Sequence, residues 1–348
     1  SMTNDSLAYF STSDSIDFSK PRTVTVFSSS GLGKKDYTIS VNIHKEKTDT
    51  FKWSQYPDCS FAKTAKDMKS FYLNGNIVLL VSDGEKTSTY SLDAANGRQF
   101  NNLNTTLATD AWKNALVNEN ILYVLDGKTL KKTTNGQQYD TIMDNAPIDR
   151  LIAASTKEIY GLDGNNNIMV SKDKGQTWNV DIMDSDSKYV PTDDISYIAI
   201  PFKYDNNSDY VLLAGNNATA AAYTDSTAFV WSKTIDKSID DKENKWTYYN
   251  YDSNSKSPLK SLDGLTLVCH GNYILALGGK GLGACKETAH AAIYFSLDNG
   301  LTWHNNDTIV YPYGFDKYNT AMAVCSDNDN YIWIVCNNTG QVWKGRMR

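Results

Sequence analysis

Ser171-Lys172-Asp173-Lys174-Gly175-Gln176-Thr177-Trp178 and Ser296-Leu297-Asp298-Asn299-Gly300-Leu301-Thr302-Trp303 obey one pattern, S-x-D-x-G-x-T-W. Five fixed residue types at identical spacing, far apart in one chain, mark an internal repeat, and a repeat decides architecture before any strand is assigned. Each octet follows an apolar stretch and runs into another strand-like stretch, which puts it at a hairpin turn. Gly175 and Gly300 supply the positive φ of a tight turn. Asp173 and Asp298 fold back onto turn N–H groups, and Ser171 and Ser296 do so more weakly. Trp178 and Trp303 leave the turn as large apolar anchors.

Every one of these residues has a structural task. The octet resembles the Asp-box, or BNR repeat, of sialidases and related β-propellers. That resemblance implies a place on the outer hairpin of a blade, away from any ligand pocket. Degenerate copies support it. Gly97, Gly136 and Gly175 are spaced 39 residues apart. Ser91-Leu92-Asp93 with Phe100 reads as a box with inserted residues. Around Gly136, Thr134 stands at the Asp position and Tyr139 at the Trp position. A stretched copy runs from Val230-Trp231-Ser232 to Trp246-Thr247-Tyr248.

A β-branched, aromatic-rich strand precedes each copy: those beginning at Asn76, Ile121, Ile159, Tyr210, Tyr273 and Tyr331. This predicts an all-β, six-bladed β-propeller over residues 47–348, each unit with room for four antiparallel strands. The last unit stops after Gln341-Val342-Trp343-Lys344, short of its outermost strand. Thr50 to Gln55, with Trp53 at the box-Trp position, is expected to complete that blade and close the ring, removing open sheet edges. Residues 1–46 fall outside the repeat. Thr23 to Phe27 and Asp36 to Ile43 alternate with period two, predicting a hairpin. It resembles the last strands of the Ig-like modules of exported Bacteroidetes proteins, but is too short for a whole sandwich. An Ig-like tail before a six-unit propeller is similar to Bacteroidetes lipoproteins. That resemblance implies an exported protein at the periplasm or outer-membrane surface, with any lipid anchor lying outside this sequence. Ser1-Met2-Thr3 carries no signal-like pattern, so an export signal is expected upstream.

Composition narrows the function. A net charge of −6 offers no strongly basic face for nucleic acid or anionic lipid. No apolar run reaches the roughly 18 to 20 residues of a membrane span. Five cysteines, Cys59, Cys269, Cys285, Cys325 and Cys336, are few and odd in number. Cys269 and Cys325 hold matching places in successive units, close enough for a disulfide, though small buried thiols are the simpler reading. No Cys/His spacing fits zinc, no acidic run fits a calcium loop, and no metal or cofactor is expected.

A sialidase site would need the R-I-P motif and an arginine triad to clamp a carboxylate. The chain has no R-I-P and five arginines, Arg22, Arg98, Arg150, Arg346 and Arg348, of which only Arg150 lies near an inner strand. Six glutamates are scattered, and Glu119 and Glu158 fall on turns of the box side. No catalytic residue is assigned. If the boxes mark one face as structural, ligands belong on the opposite loops. Lys280 to Ala291, with Lys286 and His290, and the aromatic run Tyr311-Pro312-Tyr313-Gly314-Phe315-Asp316-Lys317-Tyr318 are the richest there. Tyr311, Tyr313, Tyr318, Lys286 and His290 are the candidate ligand contacts, the competing reading being that the aromatics fill the ring's centre. The expected function is a non-catalytic binding or scaffold module for a glycan or protein. The alternative is a glycoside hydrolase using Asp residues on the loop face.

Overall fold

The computed structural model describes residues 17–28, 33–41, 50–201, 208–217, 225–236, 244–251, 257–317 and 321–347. The chain divides into two compact units, Ser1–Asp49 and Thr50–Arg348. In the first, β1 (Arg22–Phe27) pairs antiparallel with β2 (Lys34–Ile39), Val24 opposite Tyr37. The predicted turn residues 30–32 and the joint at 45–49 lie outside the described residues.

The second unit opens with β3 (Phe51–Tyr56) and then lays down successive antiparallel sheets. Blade one holds β4 (Asp67–Leu73), β5 (Asn76–Ser82), β6 (Thr87–Asp93) and β7 (Asn101–Asn102). Blade two holds β8 (Ala115–Asn118), β9 (Ile121–Asp126), β10 (Thr129–Thr133) and β11 (Asp140–Met143). Blade three holds β12 (Arg150–Ala154), β13 (Ile159–Leu162), β14 (Ile168–Ser171) and β15 (Asn179–Val180). Blade four holds β16 (Asp193–Pro201), β17 (Ser208–Asn216), β18 (Phe229–Asp236) and β19 (Thr247–Tyr248). Blade five holds β20 (Thr266–His270), β21 (Tyr273–Leu277) and β22 (Tyr294–Ser296), with a bridge between Phe295 and His304 where an outer strand would run. Blade six holds β23 (Met322–Ser326), β24 (Ile332–Cys336) and β25 (Val342–Met347). Its outer strand is β3, paired antiparallel to β25 with Trp53 opposite Gly345. The protein is a six-bladed β-propeller.

The core is divided among the seams between blades. Each buried apolar cluster draws on two neighbours: Leu80 and Phe71 meet Leu122 and Val124 between blades one and two, and Leu212 and Val230 meet Leu267 and Ile274 between blades four and five. The octets are wedges in these seams. Ser171 Oγ accepts from Gly175 N–H at 2.8 Å and donates to Asp173, whose other oxygen takes the Thr177 hydroxyl at 2.6 Å. Trp178 Nε1 donates back to the Gly175 carbonyl at 3.1 Å. Ser296, Asp298, Thr302, Gly300 and Trp303 repeat this network bond for bond. Gly175 has φ +95° and Gly300 +87°. A Cβ on Gly300 would lie 2.5 Å from Leu212 of the preceding blade, so the turn is seated against its neighbour.

The degenerate copies keep the mechanics with other atoms. In blade two, Thr133 rather than a residue two places before Thr134 accepts the Gly136 N–H, at 3.0 Å. Asn135 rather than Thr134 takes the N–H groups of Gln137 and Gln138. The turn is a residue tighter, so the register shifts by one. Tyr139 still reaches the preceding blade, its hydroxyl 3.3 Å from Thr89. Trp53 packs against the seam between blades five and six, but unlike the octet Trp residues its Nε1 donates outside its own turn, to the Val310 carbonyl at 2.7 Å. All five cysteines are free thiols, Cys269 and Cys325 included.

Candidate functional site: the central channel

The inner strands β4, β8, β12, β16, β20 and β23 surround a cavity of about 550 Å³. β8 and β12 are short strands of four and five residues, and beside them the cavity has room for a side chain from across the ring. Tyr197 of β16 uses it: its hydroxyl donates to the Val117 carbonyl of blade two at 2.7 Å. Other bonds tie neighbours together at the same level. Ser196 Oγ accepts from Leu267 N–H at 2.9 Å, and Asn216 Nδ2 donates to the Leu262 carbonyl at 2.8 Å.

Charge gathers where the outer-to-inner connections enter the inner strands, the face opposite the octets. Arg150 is the first residue of β12 and donates to the Thr192 carbonyl ahead of β16. Its Nε is buried without a partner. Asp194 sits at a register shift between Asp193 and Ser196, with φ +47°. Such bulges re-aim a side chain at a sheet's rim, and here the carboxylate lines the cavity, held by Asn216 Nδ2 at 2.9 Å. Burial, with like charge from Asp263 and Asp193, pushes Asp194 up to about 6. Lys69 of β4 is half-buried, donates to the Ala115 carbonyl at 3.1 Å and lies 5.6 Å from the Phe71 ring centre. Trp112 and Lys113 complete this rim.

The residues singled out in the sequence lie elsewhere. Tyr311 is 9% exposed and His290 4%, so neither presents a surface to a ligand. Tyr311 stacks on Phe315 at 5.1 Å, His290 sits edge-on to both rings, and the Tyr311 hydroxyl and His290 Nδ1 meet the Gly278 backbone. The aromatics fill the seam between blades five and six rather than a binding face. Tyr313 is fully exposed at 100% and Lys286 is exposed, but neither lines the cavity. Tyr318 lies outside the described residues. Arg150 is the one arginine the sequence placed near an inner strand, and the structure puts it in the channel. Lys69, Trp112, Asp194 and Tyr197 were missed. Their one signal was a lone lysine in an otherwise apolar-alternating strand, Met68-Lys69-Ser70-Phe71.

Glu158 leaves the box-side turn for a buried network. Lys233, 2% exposed in its side chain, bridges Glu158 at 3.0 Å and Asp181 at 2.6 Å. Trp246 Nε1 donates to the same Asp181 oxygen at 3.0 Å, and the Tyr160 hydroxyl donates to Glu158. This ties blade three to blade four and opens on no cavity. Among the described residues no cluster of His, Cys, Asp and Glu fits a metal ion, and no helix is long and apolar enough to cross a membrane.

Residues 47–348 match the family described as the DUF6242 beta propeller domain. The chain belongs to the DUF6242 family. Residues 1–41 match that family's N-terminal domain. No curated protein matches the DUF6242 chain in sequence. Among solved structures it is similar to a Trichoderma reesei enzyme of carbohydrate-active family AA12, with 8% identity, TM-score 0.48, and 97% of this chain and 100% of that one covered. The Niastella koreensis GH74 enzyme shares 16% identity, TM-score 0.42, over 79% and 44%. The N-terminal domain of Nup159 shares 11%, TM-score 0.42, over 88% and 98%. At such identities and TM-scores these neighbours carry no argument, and the site must be argued from its own residues.

Proposed function

We propose that this DUF6242 propeller is a non-catalytic binding module, with its ligand entering the central channel at the Arg150 rim. The observation that carries the reading is a cavity of about 550 Å³ lined by residues of every blade, with cations, a carboxylate and aromatic rings at one mouth. Concave sites of this volume with few convergent polar groups are where ligands bind. A glycan suits the lining better than a protein segment: Trp112 offers a stacking face, and Arg150 and Asp194 offer a donor and an acceptor for sugar hydroxyls. Export to the periplasm or outer-membrane surface, and the Ig-like character of residues 1–46, are part of this proposal and rest on the sequence resemblance. A glycan array with the intact chain tests it. Binding that Trp112→Ala and Arg150→Met each abolish supports the channel, whereas binding untouched by both moves the ligand elsewhere.

A glycoside hydrolase is the second reading, favoured by the raised Asp194 carboxyl, a group suited to act as a general acid. Hydrolysis needs a second carboxylate about 5 to 10 Å away. Asp193 and Asp263 act on Asp194 by like charge but do not line the cavity, and the other carboxylate that does is Glu119, just past the far end of β8 and ion-paired with Lys174. At roughly 3.3 Å per strand residue, the four steps from Ala115 at the near end of β8 to Glu119 span about 13 Å. Turnover of a fluorogenic glycoside panel, lost in Asp194→Asn, would establish the hydrolase reading instead.

A further inference from the structure

Lys69 is the one lysine on β4, and its ammonium group points into the channel rather than to bulk water. It has one hydrogen bond, to a neutral backbone carbonyl, and no ion pair among the described residues. A second cation, Arg150, shares the cavity with it. Removal from water and a neighbouring positive charge are the two conditions that turn a lysine from a solvated cation into a nucleophilic amine.

We propose that Lys69 is a reactive amine that captures an aldehyde or ketone in the channel as an imine. The Nζ lone pair attacks the carbonyl carbon and forms the C–N bond. The carbonyl oxygen takes up protons and leaves as water, and the C=N bond remains. No oxidant or reductant is consumed, and the step reverses on hydrolysis. This goes beyond the binding reading and requires only that the cavity be open to a small carbonyl compound.

Two features support it. Burial, reinforced by Arg150, draws Lys69 down to about 7. A lowered amine leaves far more of the unprotonated, nucleophilic form at neutral pH than an exposed lysine near 10.4 does. The cavity's other soft nucleophiles are silent: burial pushes the Cys269 thiol up to about 11 and the Cys325 thiol up to about 12. The titratable and charged groups facing Lys69 from neighbouring elements are Arg150 on β12, Lys113 ahead of β8, Asp194 and Tyr197 on β16, Cys269 on β20 and Cys325 on β23, with Glu119 at the far mouth. Asp194 is turned to Asn216, and Arg150 lies nearer the amine in electrostatic effect.

Reductive trapping tests it on the intact, folded chain. The protein is incubated with glyoxylate and sodium cyanoborohydride, which delivers hydride to the imine carbon and fixes it as a secondary amine. Peptide mass spectrometry then gives a rate for each lysine between pH 6 and 10. The expected result is labelling of Lys69 at least about tenfold faster than exposed Lys286 or Lys132 at pH 7, with a rate that levels off above pH 7 to 8. Arg150→Met should move that levelling to higher pH. Labelling of Lys69 no faster than that of Lys286, or a rate still climbing at pH 10, overturns the proposal in the unaltered protein, without reliance on any variant's folding. The glycan array reads the binding proposal separately: Lys69 trapping without glycan binding leaves the amine standing alone, and glycan binding without trapping removes the amine and keeps the channel.

Discussion

At the residue scale, the octet explains itself atom by atom. The two copies share hydrogen bonds but not burial: Trp303 is buried between blades four and five, whereas Trp178 is half-buried between blades two and three. Trp303→Ala should cost about 3–5 kcal/mol in denaturant unfolding, and Trp178→Ala distinctly less. Thermal or urea midpoints of the two variants compare them directly. Asp173 makes a pH argument. The Thr177 hydroxyl and N–H, with Ser171, hold its carboxyl below its ordinary 3.8. A carboxylate depressed in the native state contributes stability above its unfolded pKa and loses it as pH falls through the native value. Asp173→Asn should therefore be less stable than the parent at pH 7, and the gap should close on acidification below pH 3.8. A gap that stays constant from pH 7 to 2.5 would assign the loss to geometry rather than charge. Octet residues were legible in the sequence because each bond is local, spanning no more than four positions. The channel residues were not. Tyr197 meets Val117 across 80 positions and Lys69 meets Ala115 across 46, and nothing in the local pattern announces either partner.

At the scale of elements, the blade-three to blade-four seam is joined by a buried ion network, whereas the Lys174–Glu119 and Lys128–Asp149 pairs between blades two and three lie in half-exposed side chains. Lys233, Glu158 and Asp181 are all buried, and Lys233 lies 5.0 Å from the Tyr160 ring centre. Removing one member strands the others away from water, so Lys233→Met should destabilise by about 3–5 kcal/mol. Replacing Lys233 and Glu158 together by Met and Leu should recover a good part of that loss, and a double-mutant cycle on unfolding free energies measures how much. The loss should be insensitive to added salt, since ions do not reach the pair. The same scale shows why two of the residues singled out in the sequence are buried rather than presented on the loop face. An aromatic run beside Pro and Gly has the composition of a stacking platform, yet Tyr311 and Phe315 join blade five to blade six. Composition reports what a segment is able to bury, and neighbouring blades decide what it buries.

Across the whole molecule, ring closure depends on β3. Six backbone-paired positions join it to β25, and the ring of Trp53 lies over Gly345, where a Cβ would come within 2.3 Å. A chain beginning after Tyr56 should expose the edge of β25 and self-associate. Light scattering reads this, and a synthetic peptide spanning Thr50 to Pro57 should return it to a monomer. A truncated chain that stays monomeric without peptide would show that β25 needs no cover.

That pairing also sets a schedule for the nascent chain. Trp53 and its partner Gly345 stand 292 residues apart, so the first strand of the ring emerges from the ribosome long before its mate exists. At synthesis rates of about 5–20 residues per second, the wait is roughly 15–60 s. Through that interval blades one to five are free to assemble in order, while Phe51 and Trp53 have no permanent place to rest. The step that closes the ring waits for β25, and any factor that shelters a nascent hydrophobic strand has β3 to hold until then.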